Sequence, residues 1–394
     1  MFLNFLADSA SISDNIIKAM TNTSLWTAIA KTIIIIFLGF IFTRKKIFPE
    51  GTGKVLTKVV MTVALPCLAF TGFMNDFSVA GGVDAIFNFI FGFIIYVFFM
   101  FVSKLIFIWV KDFKKRTVLC ILFAFGSTTF FAQPLISAIY GAQAYKDSNL
   151  LNIAYRVFLY SYAYIVISSL KNNNEEIESE TRKAKDENLK IGSLLKKIFL
   201  NPIIIATLVG LVLWVLQAIP GVTTINKDWL TTNTGVTGQV AFWRVDITLP
   251  WIYGVASTLG GLSSPLVWLA IGCTLGKASF KEAATDKLAW IYSVLKVFVA
   301  PGIVLIILII IELIAKACGY PELVSAETVQ SSCLMWMVPP ATVAVAYCIN
   351  FDKEKGLASD CSVIGTLVAV PGIVFWVLIL TIISSTGFFP TVGA

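Results

Sequence analysis

Apolar runs long enough to cross a bilayer recur along almost the whole chain, and this excludes most folds at once. A membrane-spanning helix needs roughly 20 mainly apolar residues. Ten stretches approach that length: 25–43, 57–74, 83–109, 117–140, 151–170, 198–216, 251–275, 288–315, 328–348 and 361–384. In lipid every backbone amide and carbonyl must find an internal partner, so such runs form helices. Of the 394 residues 57% are hydrophobic and 13% charged, the latter about half the charged share of a soluble domain. The expected fold class is an all-α polytopic membrane protein with ten transmembrane helices. Met1–Ser24 holds one lysine and no long apolar core, which does not match a cleavable secretory leader.

Charge sets the expected sidedness. The odd-numbered connections carry Arg44, Lys45, Lys46 and Lys54, then Lys111, Lys114, Lys115 and Arg116, then Lys171 to Lys197, then Lys277, Lys281 and Lys287, then Lys353 and Lys355. The other face holds Lys18, Lys146, Lys227, Arg244 and Lys316. Basic loops stay cytoplasmic, so both termini are expected outside. Five spans precede the polar loop 171–197 and five follow it. An odd number per half inverts the second half relative to the first. The expected organisation is a five-helix repeat over 1–170, a cytoplasmic linker over 171–197 and an inverted five-helix repeat over 198–394. The outer segment 217–250, rich in Thr, Gly and Asn, reads as a long loop or a cap over an outer vestibule. The net charge of +7 follows from these loops and gives no reason to expect nucleic acid.

Two spans are broken near their middles, at matching places in the two halves. The first reads Phe125-Gly126-Ser127-Thr128-Thr129-Phe130-Phe131-Ala132-Gln133-Pro134, and the second Met335-Trp336-Met337-Val338-Pro339-Pro340-Ala341-Thr342. Pro134 and Pro339 are 205 residues apart (339 − 134), and Pro66 and Pro265 are 199 apart (265 − 66). Proline removes a backbone hydrogen bond and clashes with the preceding turn. In a membrane such a break survives where it is buried in protein or lines a wet cavity. Paired breaks in inverted repeats mark the binding region of many carriers. A half-helix that starts there aims amide donors and a positive dipole end at the site, which suits a carboxylate. Ser127, Thr128, Thr129, Gln133, Pro134, Pro339, Pro340 and Thr342 are therefore the expected substrate-binding residues, with fourth and ninth spans crossing. Pro66 and Pro265 read as shaping supporting helices, and Pro301 and Pro371 as kinks.

The charges within spans are basic: Lys31, Lys58, Lys104, Arg156 and Lys296. No acidic residue is expected in the middle of a span. Long basic side chains can snorkel to the interface, and Lys31, Lys58, Lys104 and Lys296 read that way. Arg156 has two open readings, snorkelling to the outer face or binding substrate. The basic excess favours an anionic substrate. Buried Asp, Glu or His for a proton relay are not expected, whereas carbonyls and hydroxyls at the breaks could hold sodium.

With these motifs in place, the chain resembles the auxin efflux carrier family, which includes bacterial malate-permease-like proteins. The family's fourth span carries a pattern like G-N-T-G-F-L-G-L-P-L. Here Gly126, Thr128, Phe130, Pro134 and Leu135 fit, Ser127 replaces an asparagine, and Thr129 and Ala132 replace glycines. Asn201-Pro202, Pro265 with Gly272, Leu65-Pro66, and Pro339 or Pro340 complete the set. The resemblance covers almost the whole chain. It implies a scaffold of spans 1, 2, 6 and 7 that forms a homodimer, and a mobile part of spans 3–5 and 8–10 that carries substrate across in an elevator motion. The Asn-to-Ser change at position 127 removes an amide that would contact substrate.

The reading is a secondary transporter of small organic anions, malate-like carboxylates, in a bacterial inner (plasma) membrane. The partners expected are that anion, the lipid bilayer and a second copy of the chain. A sodium-coupled organic-acid or bile-acid-type symporter and a non-transporting receptor stand as alternatives. An enzyme is not expected: the chain has no His, no catalytic serine motif and no acidic dyad within spans. Seven scattered Cys without a CxxC give no zinc or disulfide framework, and no cofactor is implied.

Overall fold

A computed structural model describes residues 23–74, 76–77, 79–170, 200, 202–219, 225–226, 239–277, 283–320 and 322–391. The fold is almost wholly helical. In chain order the helices are α1 (Thr23–Arg44), α2 (Thr52–Thr71), α3 (Val79–Ile106), α4 (Phe113–Ala124), α5 (Gln133–Ser169) and α6 (Pro202–Leu216). There follow α7 (Val245–Thr248), α8 (Pro250–Gly261), α9 (Ser263–Lys277), α10 (Lys287–Ala317), α11 (Ala326–Trp336), α12 (Thr342–Asn350) and α13 (Lys355–Ser385). A two-residue antiparallel ribbon, β1 (Ile225–Asn226) with β2 (Gln239–Val240), pairs Ile225 with Val240 and Asn226 with Gln239. The expected linker 171–197, residues 220–224 and 227–238 of the expected outer segment 217–250, and Asn201 lie outside the described residues.

Among the described residues, six helical stretches are long and apolar enough to cross a membrane: Thr52–Thr71, Gly81–Ile106, Gln133–Ser169, Pro250–Gly276, Lys287–Ala317 and Lys355–Ser384. Ile33–Arg44 and Pro202–Leu216 are shorter apolar helices. The broken segments appear as shorter pieces, α4, α11 and α12. One boundary differs from the sequence reading. Residues 141–150 were expected as a connection, but α5 runs through them, with a single non-helical residue at Gly141 (φ 80°, ψ −162°). Glycine tolerates that positive φ where other residues are strained. Side chains before Gly141 pair with side chains about equally far beyond it, Gln133 with Asn149 and Thr128 with Asn152. The two arms of α5 therefore fold back on each other as a hairpin about Gly141.

A repeated local device appears at three prolines. A five-residue π-helical turn ends two residues before each: Val60–Ala64 before Pro66, Thr128–Ala132 before Pro134, and Leu295–Val299 before Pro301. Leu65, Gln133 and Ala300 donate to the carbonyls of Val60, Thr128 and Leu295. The wider turn moves backbone away from the proline ring, which would clash with the ordinary α-helical carbonyl. At Pro301 the freed Val297 carbonyl accepts the Trp376 indole N–H at 2.8 Å. Pro371 sits inside the continuous α13.

Two large packing groups result, joined by a smaller one in which Phe73, Ala85, Leu150 and Trp214 bring the end of α2 and helices α3, α5 and α6 together. One core joins buried residues of α1, α2, α6 and α9, including Ile36, Leu65, Ile203 and Trp268. Its closeness depends on glycine: a Cβ on Gly272 would overlap the Ile36 carbonyl oxygen, and one on Gly39 would lie 3.1 Å from the Gly272 Cα. The larger core draws on α3, α4, α5 and α10–α13, with Tyr96, Phe99, Phe123, Tyr292 and Trp336 near its centre. Two contacts between the groups bear on the site. Ser264 Oγ donates to the Pro134 carbonyl at 2.9 Å, and the Lys146 ammonium lies 4.2 Å from the Trp214 ring centroid.

Candidate functional site

The two broken segments meet. Helix α4 ends at Ala124, and the chain runs extended through Phe125 before the turn at Thr128. Helix α11 ends at Trp336, and α12 begins at Thr342. Between them Gly126 and Pro340 form an antiparallel bridge. The Ser127 amide donates to the Pro339 carbonyl at 2.7 Å, and the Ala341 amide donates to the Phe125 carbonyl at 2.9 Å. Each break thus satisfies backbone groups that the other one frees, as a low-dielectric interior demands. A Cβ at Gly126 would sit 2.6 Å from Val338 Cγ2, so the joint needs glycine there.

Most of the expected site residues gather at this joint. Ser127, Thr128, Thr129, Gln133, Pro134, Pro339 and Pro340 are all buried. Thr342, at the start of α12, is exposed. The polar side chains of the first break are tied to the second arm of α5. Thr128 donates to Asn152 Oδ1 at 2.7 Å, Asn152 Nδ2 donates to Thr129 Oγ1 at 2.8 Å, and Gln133 Nε2 donates to Asn149 Oδ1 at 2.8 Å.

Arg156 belongs to the same cluster. Its Nη2 donates to Thr129 Oγ1 at 3.4 Å. The side chain is 2% exposed, which removes the snorkelling reading. The α5 helix resumes after Gly141, so Arg156 lies roughly 20 Å along that arm at helix rise instead of near its outer end. Arg156 Nη1 has no hydrogen-bond partner. No carboxylate lies within ion-pair distance of it among the described residues. In the same cluster, Gln133 Oε1 is likewise buried without a partner. Buried polar groups are nearly always paired, and Arg156 Nη1 and Gln133 Oε1 are exceptions within one cluster.

Lys296 corrects another expectation. It does not reach an interface; it is fully buried. Its Nζ donates to the Phe123 carbonyl at 2.7 Å and stands 4.6 Å from the Trp336 ring centroid. Lys31, Lys58 and Lys104 are exposed, as expected of snorkelling residues.

A family model described as a membrane transport protein matches residues 24–377. The chain belongs to the membrane transport protein family. No curated protein matches it. The match accords with the resemblance to auxin efflux carriers and places this protein among transporters, which are not enzymes.

Sequence reasoning missed several members of the transporter's polar cluster. Ser148, Asn149 and Asn152 were not anticipated; they share one face of α5 with the expected Arg156, at the three- and four-residue spacings of a helix. Assigning 141–150 to a connection hid that stripe. Buried acids, which the sequence reading did not expect, do occur, toward helix ends or in the expected connection 141–150 and not at the middle of a span. Asp84, Asp147 and Glu312 are buried. Asp84 Oδ1 accepts from Ser325 at 2.6 Å and from Thr328 at 3.0 Å, and Gln143 Nε2 lies 3.4 Å from Asp84 Oδ2 and 3.2 Å from Asp147 Oδ1. Glu312 accepts the Val324 amide at 3.0 Å and pairs with Lys316 at 3.5 Å. The described pockets lie elsewhere. A groove of about 560 Å³ between α3 and α10, lined by Val83, Ile90 and Ile307 among others, has only apolar walls and faces outward.

Proposed function

We propose that this transporter carries small organic anions of the malate-like carboxylate class, bound where its two broken helices meet. The observation that carries the reading is the unpaired Arg156 guanidinium nitrogen, buried beside the Thr129 hydroxyl with no acid in reach. A buried cation without a counter-charge is costly; a substrate carboxylate supplies that charge. Around it, Thr129 and Asn149 offer polar contacts, and the half-helix that begins at Thr128 presents its positive end.

In this reading the chain crosses the membrane ten times, as two inverted five-helix repeats, with both termini outside. The α1, α2, α6 and α9 core is the scaffold that dimerises. The larger core, with the joint inside it, moves across the membrane as a unit. The separate core of α1, α2, α6 and α9 supports the assignment, and the bridging group of Phe73, Ala85, Leu150 and Trp214 is the apolar contact such a motion would have to break.

The test is a thermal-shift screen of the purified protein against mono- and dicarboxylates, indole acids, bile acids and amino acids, each with and without sodium. A carboxylate class should stabilise the wild type and leave Arg156→Gln unmoved. Equal stabilisation of both proteins would remove Arg156 from the site, and no response to any anion would remove the substrate class. Flux of the same anion into proteoliposomes then separates a carrier from a receptor.

A further inference from the structure

Helices α4 and α11 both end at the joint. Their C-terminal ends carry unsatisfied carbonyls and the negative end of the helix dipole. Two such ends meeting in the interior call for positive charge. In sodium-coupled carriers with broken helices, ends of this kind hold the metal ion.

Here a side chain reaches that place. Helix α10 presents Tyr292 and Lys296 one turn apart against the end of α4. The Tyr292 hydroxyl donates to the Leu122 carbonyl at 2.9 Å, and Lys296 Nζ donates to the Phe123 carbonyl at 2.7 Å. Consecutive terminal carbonyls of α4 are thereby capped from α10. The ammonium also lies 5.4 Å from the Phe123 ring centroid and 4.6 Å from that of Trp336, the last residue of α11. Two aromatic faces favour a cation there. The Lys296 tip packs against the backbone of Gly126, 3.3–3.4 Å from where a Cβ would stand. Lys296 occupies the π-helical turn before Pro301, so a proline read as a kink shapes the segment that delivers this lysine. The other oxygen-rich cluster, at Asp84 and Asp147, already has Lys146 as a neighbouring positive charge.

We propose that Lys296 is a tethered cation: its ammonium fills, at the converging C-terminal ends of α4 and α11, the position a cotransported sodium ion would need, and makes transport through this protein independent of sodium. The inference rests on the joint being the transport site.

Two measurements test it. In proteoliposomes holding the full-length wild type, replacing sodium by choline should leave carboxylate flux within about twofold; a loss of about tenfold or more would overturn the proposal. In the second, Lys296→Ala and Lys296→Arg are melted in detergent with sodium, methylammonium or choline as the only added cation, and no substrate. The alanine variant should melt below wild type and be raised by methylammonium or sodium over choline, with wild type and the arginine variant indifferent to all three. An alanine variant as stable as wild type, or one that no cation restores, would overturn the proposal. Should the alanine variant fail to fold, Lys296→Met is melted in its place, and the wild-type flux comparison stands on its own. The melting series uses no substrate, so a failure to find any transported carboxylate would count against the proposed function and leave the Lys296 result readable.

Discussion

At the scale of single residues, the joint is organised by what each buried polar atom has already spent. Thr128 and Gln133 read from sequence as free to meet a substrate. Both donate instead to the facing arm of α5, to Asn152 and Asn149, and so hold that arm in place. Thr128→Val leaves Asn152 Oδ1 buried without its donor, at a cost of about 1–3 kcal/mol. The expected outcome is a lower melting temperature, with Thr128→Ser close to wild type; an unchanged melt for the valine variant would mean the pair contributes nothing. Arg156 is the group with capacity left over. Arg156→Gln should weaken carboxylate binding by ~10- to 100-fold, the loss of one charge-assisted hydrogen bond, as read by titration on the folded protein. Polar side chains near a proline were legible in the sequence as a cluster. Their division into structural and available ones was not, because it depends on which helix arm lies opposite.

At the scale of elements, proline and glycine do different work. A π turn precedes Pro66, Pro134 and Pro301. Proline positions were readable from sequence, whereas the π turns were not, since nothing in the residue pattern separates them from a simple kink. Gly141 was equally hidden; apolar periodicity does not register one positive φ within a helix. Gly126 allows a sharper test. Gly126→Ala places a methyl group 2.6 Å from Val338 Cγ2, an overpacking that costs ~1–3 kcal/mol. The variant should melt earlier, and adding Val338→Ala should recover most of the loss. No recovery in the double variant would place the strain elsewhere.

At the scale of the whole molecule, two cores share few polar ties near the site. Ser264 to Pro134 and Lys146 to Trp214 are the ones described above. Movement of one core past the other must exchange them. Replacing Lys146 and Trp214 by cysteines and joining them with a flexible thiol cross-linker should stop flux while leaving carboxylate binding within about threefold; continued flux in the linked protein would rule out relative motion there. Lys58, exposed near the end of α2, belongs to no such tie, and Lys58→Gln should transport like wild type at equal expression. Fold class was legible at this scale from apolar length alone, since lipid leaves the backbone few options. Which helices share a core was not, because every face of such a helix is hydrophobic and the pattern points nowhere.

The pairing of Ser127 with Pro339 and of Ala341 with Phe125 runs through main-chain atoms alone. A fastening made of backbone is indifferent to most of the side chains it carries. Position 127 can therefore exchange asparagine for serine without loosening the crossing, and the chemistry displayed there is free to drift. Such an architecture lets a lineage change its cargo while keeping its mechanism, with glycine at 126 as the fixed cost.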